Sequence, residues 1–84
     1  MVSDLERLQV LTEIVSEFRF AILNDNEPEK TGRLVLEVVQ EARDDKLQDM
    51  VLNAYLKLTD RETAIRYLNE ARDYLYEKIN VLLN

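Results

Sequence analysis

Apolar positions recur at spacings of three and four along almost the whole chain. Leu8, Leu11, Val15, Phe18 and Ile22 make the first run, widened by Val10, Ile14 and Ala21. At 100° per residue these positions fill one broad stripe of a helix. Ser3, with Glu6 three residues later, forms a capping box that starts it. The polar run "NDNEPEK" ends it. Asn26 or Glu27 then leads into Pro28, a residue tolerated in a first helical turn. Leu34, Val35, Val38, Val39 and Ala42 carry the second stripe, with Gly32 in or just before its first turn.

Nothing in "ARDDKLQD" breaks a helix outright, but the phase of the stripes does not carry through it. On one continuous wheel, the apolar centre of residues 34–42 lies nearly opposite that of Leu47, Met50, Val51, Ala54 and Leu58. A break near Asp44–Lys46 lets both stripes face one core. The third helix therefore runs from about Asp45 to Leu58. "TDRE" reads as a second capping box, with Thr59 as N-cap and Glu62 reaching back. The fourth helix carries Ile65, Leu68, Leu75, Ile79 and Leu82, widened by Ala64 and Ala71. Tyr67, Tyr74 and Val81 recur every seven residues along one edge, an arc wide enough for two neighbours. The expected fold is all-α: a small antiparallel four-helix bundle made of helical hairpins 3–43 and 45–83, one domain over residues 1–84.

The expected helix lengths do not match. At 1.5 Å per residue the fourth helix would reach roughly 36 Å and the third only some 20 Å. The apolar end "INVLL" then outruns the third helix, leaving the first helix or a second copy of the chain to cover it. Tyr76, Ile79, Leu82 and Leu83 are the expected contacts of a symmetric homodimer. Phe20 falls outside the first stripe, near Glu13 and Glu17. It either tucks under the following turn or, with those two acids, anchors a basic partner. Leu36, Leu52 and Leu56 also lie off their stripes and are expected to bury against a second neighbour. Arg72 lies within the fourth helix's apolar arc, where it snorkels or meets a carboxylate. The four tyrosines, Tyr55, Tyr67, Tyr74 and Tyr76, are expected to place their rings in the core and their hydroxyls at its edge.

Val51, Tyr55, Ala64, Leu68 and Ala71 resemble one hairpin of the tetratricopeptide repeat. That repeat wants a small residue where Leu52 stands and an aromatic where Leu68 stands, and no Pro follows the second helix. Shifting back 34 residues gives no second copy. Because repeat units need neighbours to bury their faces, the likeness is the common packing of helix pairs.

Composition narrows the chemistry. The chain has no His and no Cys. That removes the commonest general base and metal ligand, the usual nucleophilic dyads and triads, and disulfide support. A single Gly leaves no glycine-rich phosphate loop. Asp25, Glu27 and Glu29 alternate like the start of a calcium loop, but Lys30 stands where Gly is required and Leu36 where Glu is. Asp44 and Asp45 read as a solvated cap or turn, not an acid/base pair. No cofactor and no metal are expected.

Net charge is −6, with −5 carried by residues 1–42 and −1 by residues 43–84. No Lys/Arg cluster suits nucleic acid. No apolar run approaches a membrane span, and the N-terminus is too mixed for a signal peptide. These features point to a cytoplasmic, non-enzymatic protein-binding module. It would be a small acidic regulator, inhibitor or immunity-type protein that occludes a protein partner, and its charge favours a basic one. The alternatives are a structural homo-oligomer built through the C-terminal helix and an enzyme accessory or ligand-binding bundle.

Overall fold

The computed structural model describes residues 3–24 and 27–84. They form four helices: α1 (Asp4–Asn24), α2 (Pro28–Glu41), α3 (Asp45–Leu56) and α4 (Arg61–Leu83). Links of three or four residues leave each helix antiparallel to the next. The packed pairs are α1–α2, α2–α3, α3–α4 and α1–α4, so the helices stand in a ring in chain order. This is the expected all-α four-helix bundle.

Local chemistry sets the ends of the helices. Ser3 Oγ accepts the Glu6 N–H at 3.1 Å and so caps α1. Glu27 precedes α2 with extended backbone, and Pro28 occupies its first turn. The Thr31 hydroxyl, fully buried, donates back to the carbonyls of Glu27 and Pro28. The break between α2 and α3 falls at Ala42–Asp44, as the stripe phase requires. Asp25 and Asn26, which figured in the calcium pattern and the second helix's start, lie outside the described residues.

Two boundaries differ from expectation. α3 ends at Leu56, where Lys57 N–H turns back to the Ala54 carbonyl, although Leu58 still packs on the core. The cap of α4 is Asp60, one residue after the expected Thr59. Asp60 N–H is spent on the Lys57 carbonyl, which closes a tight turn and leaves its side chain free to cap. It accepts the Thr63 N–H at 3.3 Å and the Thr63 hydroxyl at 2.7 Å. Asp60 and Thr63 therefore cap α4 through the Asp60 carboxylate alone, and Glu62 closes no capping box.

The core is built from the predicted stripes. Phe18, Ile22, Leu47, Leu68 and Leu75 are its largest fully enclosed side chains. Ala54, Ala64 and Ala71 have no exposed surface, and their small size lets α3 and α4 approach closely. Gly32 serves a similar purpose on α2: a methyl added there would lie 3.2 Å from the Tyr55 hydroxyl. That contact and the bond from Gln48 to the Val39 carbonyl set the α2–α3 register. Leu36 and Leu52 are thereby left level with each other outside the seam.

This outcome corrects the expected burial of Leu36, Leu52 and Leu56. They are 59%, 39% and 74% exposed. In a ring each helix has two neighbours, and these side chains point past both. Tyr76 is also exposed, unlike the other three tyrosines. Arg72 keeps its stem covered, with Nε buried and without a hydrogen-bond partner, 3.7 Å from the Asp73 carboxylate.

The two phenylalanines offer a direct check. Phe18→Ala should destabilise the fold by about 3–5 kcal/mol through the cavity it leaves. Phe20→Ala should stay within about 0.5 kcal/mol. Urea unfolding of the two variants measures both. In the same assay, Asp60→Ala should lower stability while Thr59→Ala leaves it unchanged; the reverse order would restore Thr59 as the cap.

Candidate functional site

The helix lengths create the main concavity. At 1.5 Å per residue, α1 and α4 run to about 31 and 34 Å, while α2 and α3 stop at about 21 and 18 Å. Arg19 Nε donates to Asn69 Oδ1 at 3.0 Å across α1 and α4, and Asp4, Arg7 and Leu8 line one cleft with Lys78, Val81 and Leu82. The first turns of α1 therefore lie beside the last turns of α4. Asp44, at the head of α3, meets Tyr74. Beyond that level, residues 76–83 of α4 run on past α3 for about 12 Å. The result is a two-helix overhang facing the α2–α3 turn across an open cleft of about 690 Å³.

Leu8, Leu11, Leu47, Leu75, Val81 and Leu82 give this cleft its apolar surface. Arg7, Arg43, Lys46 and Lys78 line it together with Asp4, Asp44 and Glu77. The cleft thus carries a net +1 in a chain of net −6. This local reversal of charge was not legible from sequence, because the four cations come from three helices and a turn.

Asp44 organises the cleft's inner wall. One carboxylate oxygen, Oδ1, accepts the N–H groups of Lys46 and Leu47 at 3.0 and 3.3 Å and caps α3. The other accepts the Tyr74 hydroxyl and lies 3.6 Å from Lys78 Nζ. Lys46 and Lys78 approach the Tyr74 ring, with their ammonium groups 5.2 and 5.0 Å from its centroid. Both are cation–π contacts. Gln48 closes the turn from the other side, donating to the carbonyls of Val39 and Ala42 at 3.2 and 2.9 Å. It satisfies acceptors that the end of α2 would otherwise orphan.

The protonation states follow from these contacts. Burial pushes the Asp44 pKa up, but the Tyr74 hydroxyl, the Leu47 and Lys46 N–H groups and the Lys78 charge together hold it below the ordinary carboxylate value. Burial, and then the bond to Asp44, raise the Tyr74 pKa. The adjacent Tyr74 oxygen, more than Asp44, raises that of Lys78. Every shift moves the group's pKa further from pH 7. At pH 7 the three form a fixed anion–phenol–ammonium latch, whereas general acid–base work favours a pKa near the working pH.

The sequence-selected residues fall in two places. Glu13, Glu17 and Phe20 share the outer side of α1, opposite its buried stripe, and Phe20 is 63% exposed. It does not tuck under the following turn. Leu82 lines the end cleft, whereas Tyr76, Ile79 and Leu83 do not. Tyr76 and Leu83 are exposed, and Ile79 is half-buried. Sequence reasoning missed Arg7, Arg43, Lys46 and Lys78 as a group, and missed the Asp44–Tyr74 contact, which joins residues thirty positions apart.

No protein-family model matches the chain, and no curated protein or solved structure matches it significantly. Among the described residues no group of three or more acidic side chains is placed to hold a metal ion. No described helix is long and apolar enough to cross a membrane.

Replacing Asp44 by Ala should cost about 2 kcal/mol, as the cap and a charge-assisted hydrogen bond are lost together. Asp44→Asn should cost less, because an amide oxygen can still cap. The pH dependence has a definite sign. A carboxylate whose pKa is depressed on folding stabilises fully above its unfolded value, and that stability is lost as pH falls through the folded value. The gap between wild type and Asp44→Ala should therefore hold steady from pH 5 to 7 and close below about pH 4. Thermal melts across this range measure it, and a gap independent of pH would refute the latch.

Proposed function

We propose that this protein is a non-catalytic protein-binding module, a small acidic regulator of the inhibitor or immunity type that occludes a partner. The observation that carries this is the outer face of α1. Phe20 stands 63% exposed on a helix whose other aromatic, Phe18, is fully enclosed. Glu17 lies one turn before it and Glu13 two turns before it, neither with an ion-pair partner among the described residues. Like charges one turn apart cost an isolated helix about 0.2–0.5 kcal/mol. Contact with another molecule would account for both the exposed ring and the paired acids. An aromatic anchor beside two carboxylates suits a basic protein surface, and its acidity would speed that partner's approach. The adjoining Leu36 and Leu52, with Leu56 one turn on, offer a second exposed apolar strip on another side. A lack of His and Cys and the resting protonation of the latch favour binding over catalysis. We place the protein in the cytoplasm, a compartment that suits a cysteine-free fold.

The test is capture from lysate of the source cells on immobilised protein. Wild type should retain a partner that Phe20→Ala and Glu13→Lys/Glu17→Lys lose, and that added salt weakens. An identical capture profile for all three proteins would remove this face from the proposed mechanism.

A further inference from the structure

The overhang is an incomplete bundle. For most of its length each long helix has two neighbours, but at the cleft end α1 and α4 have only each other. Val81 and Leu82 are 72% and 50% exposed there, although Leu82 continues the buried stripe of α4 and Val81 the edge that carries Tyr67 and Tyr74, both packed against the core lower down. We propose that a second copy of this chain fills the cleft. Two overhangs related by a two-fold axis bring their inner faces together, so that α1 and α4 of each copy supply the two helices that the other lacks.

Charge selects this occupant. The 14 residues lining the cleft carry +1, so the rest of the chain carries −7. Two copies of a strongly acidic protein repel least when they meet at this end, with their acidic bodies pointing apart. The cleft's charges also suit pairing with themselves. A two-fold contact places residue i of one copy against residue j of the other and j against i. Asp4 and Glu77 on the overhang can then meet Arg43 and Lys46 at the partner's α2–α3 turn, twice over. A patch of one sign could not pair with itself in this way. The apolar contact centres on Leu8, Val81 and Leu82, which narrows the expected set: Leu82 belongs to it, while Tyr76 and Leu83 lie outside the cleft. This interface is separate from the Phe20 face, and neither proposal depends on the other.

Sedimentation velocity of the intact chain, from about 10 to 500 μM, covers the range in which a small interface associates. The mass should rise from 9.9 kDa to twice that value and stop there. Leu82→Asp should remain monomeric throughout with an unchanged helical circular dichroism spectrum. Should Leu82→Asp unfold, Val81→Asp makes the same test at a more exposed position. Arg43→Glu should weaken association at least tenfold, and Glu77→Lys in the same chain should restore it. A wild type that stays monomeric at 500 μM overturns the proposal. So does growth beyond two copies, which would signal an open head-to-tail contact, or a dimer indifferent to both aspartate substitutions. Phe20→Ala should leave the dimer intact, so failure of either proposal is read separately.

Discussion

The turn at Ala42–Asp44 governs this structure. Two apolar stripes nearly half a revolution out of phase cannot serve one core from one straight helix. The chain resolves the conflict by breaking there, and the break must satisfy the backbone groups it frees. Asp44 takes the first N–H groups of α3, and Gln48 returns to the last carbonyls of α2. The same Asp44 reaches Tyr74 and Lys78 on α4, so the turn is also fastened to the longest helix. A local capping problem and a long-range tertiary contact are thus solved by one carboxylate.

Breaking the middle of the chain into two short helices has a second consequence. α2 and α3 end well before α1 and α4 do, and the mismatch leaves apolar side chains beyond the level at which the ring can enclose them. Packing elsewhere is tight: alanines hold α3 against α4, and Gly32 admits Tyr55. The exposed residues are therefore not signs of a loose fold. They gather where the ring geometry cannot reach: the overhang, the outside of the α2–α3 seam and the outer side of α1. Two of them, the overhang and the outer side of α1, are the surfaces proposed above to meet another molecule. The acidic majority of the chain and the mildly cationic cleft give those surfaces different electrostatic character, so they need not share an occupant.

The helices and the core are legible in the order of the residues. Periodicity placed Phe18, Leu47, Leu68 and Leu75 inside, because a 3.6-residue repeat fixes which side chains share a face. It also required the break near Asp44 and placed Pro28 in a first turn. What lies at the margins of each stripe depends on contacts between helices. A helical wheel gives the direction of Leu36 and Leu52 but not where a neighbouring helix stands, and the ring leaves both outside. "TDRE" points to Thr59 as the cap of α4, but the turn from Ala54 through Lys57 to Asp60 makes it Asp60. Unequal helix lengths made the overhang legible in the sequence, but not the charge of the cleft beneath it. Arg7, Arg43, Lys46 and Lys78 are scattered along the chain and share one wall only because α1 and α4 run antiparallel past a shorter pair. Charge acts through distance in space, and distance in space is what the fold, not the sequence order, supplies.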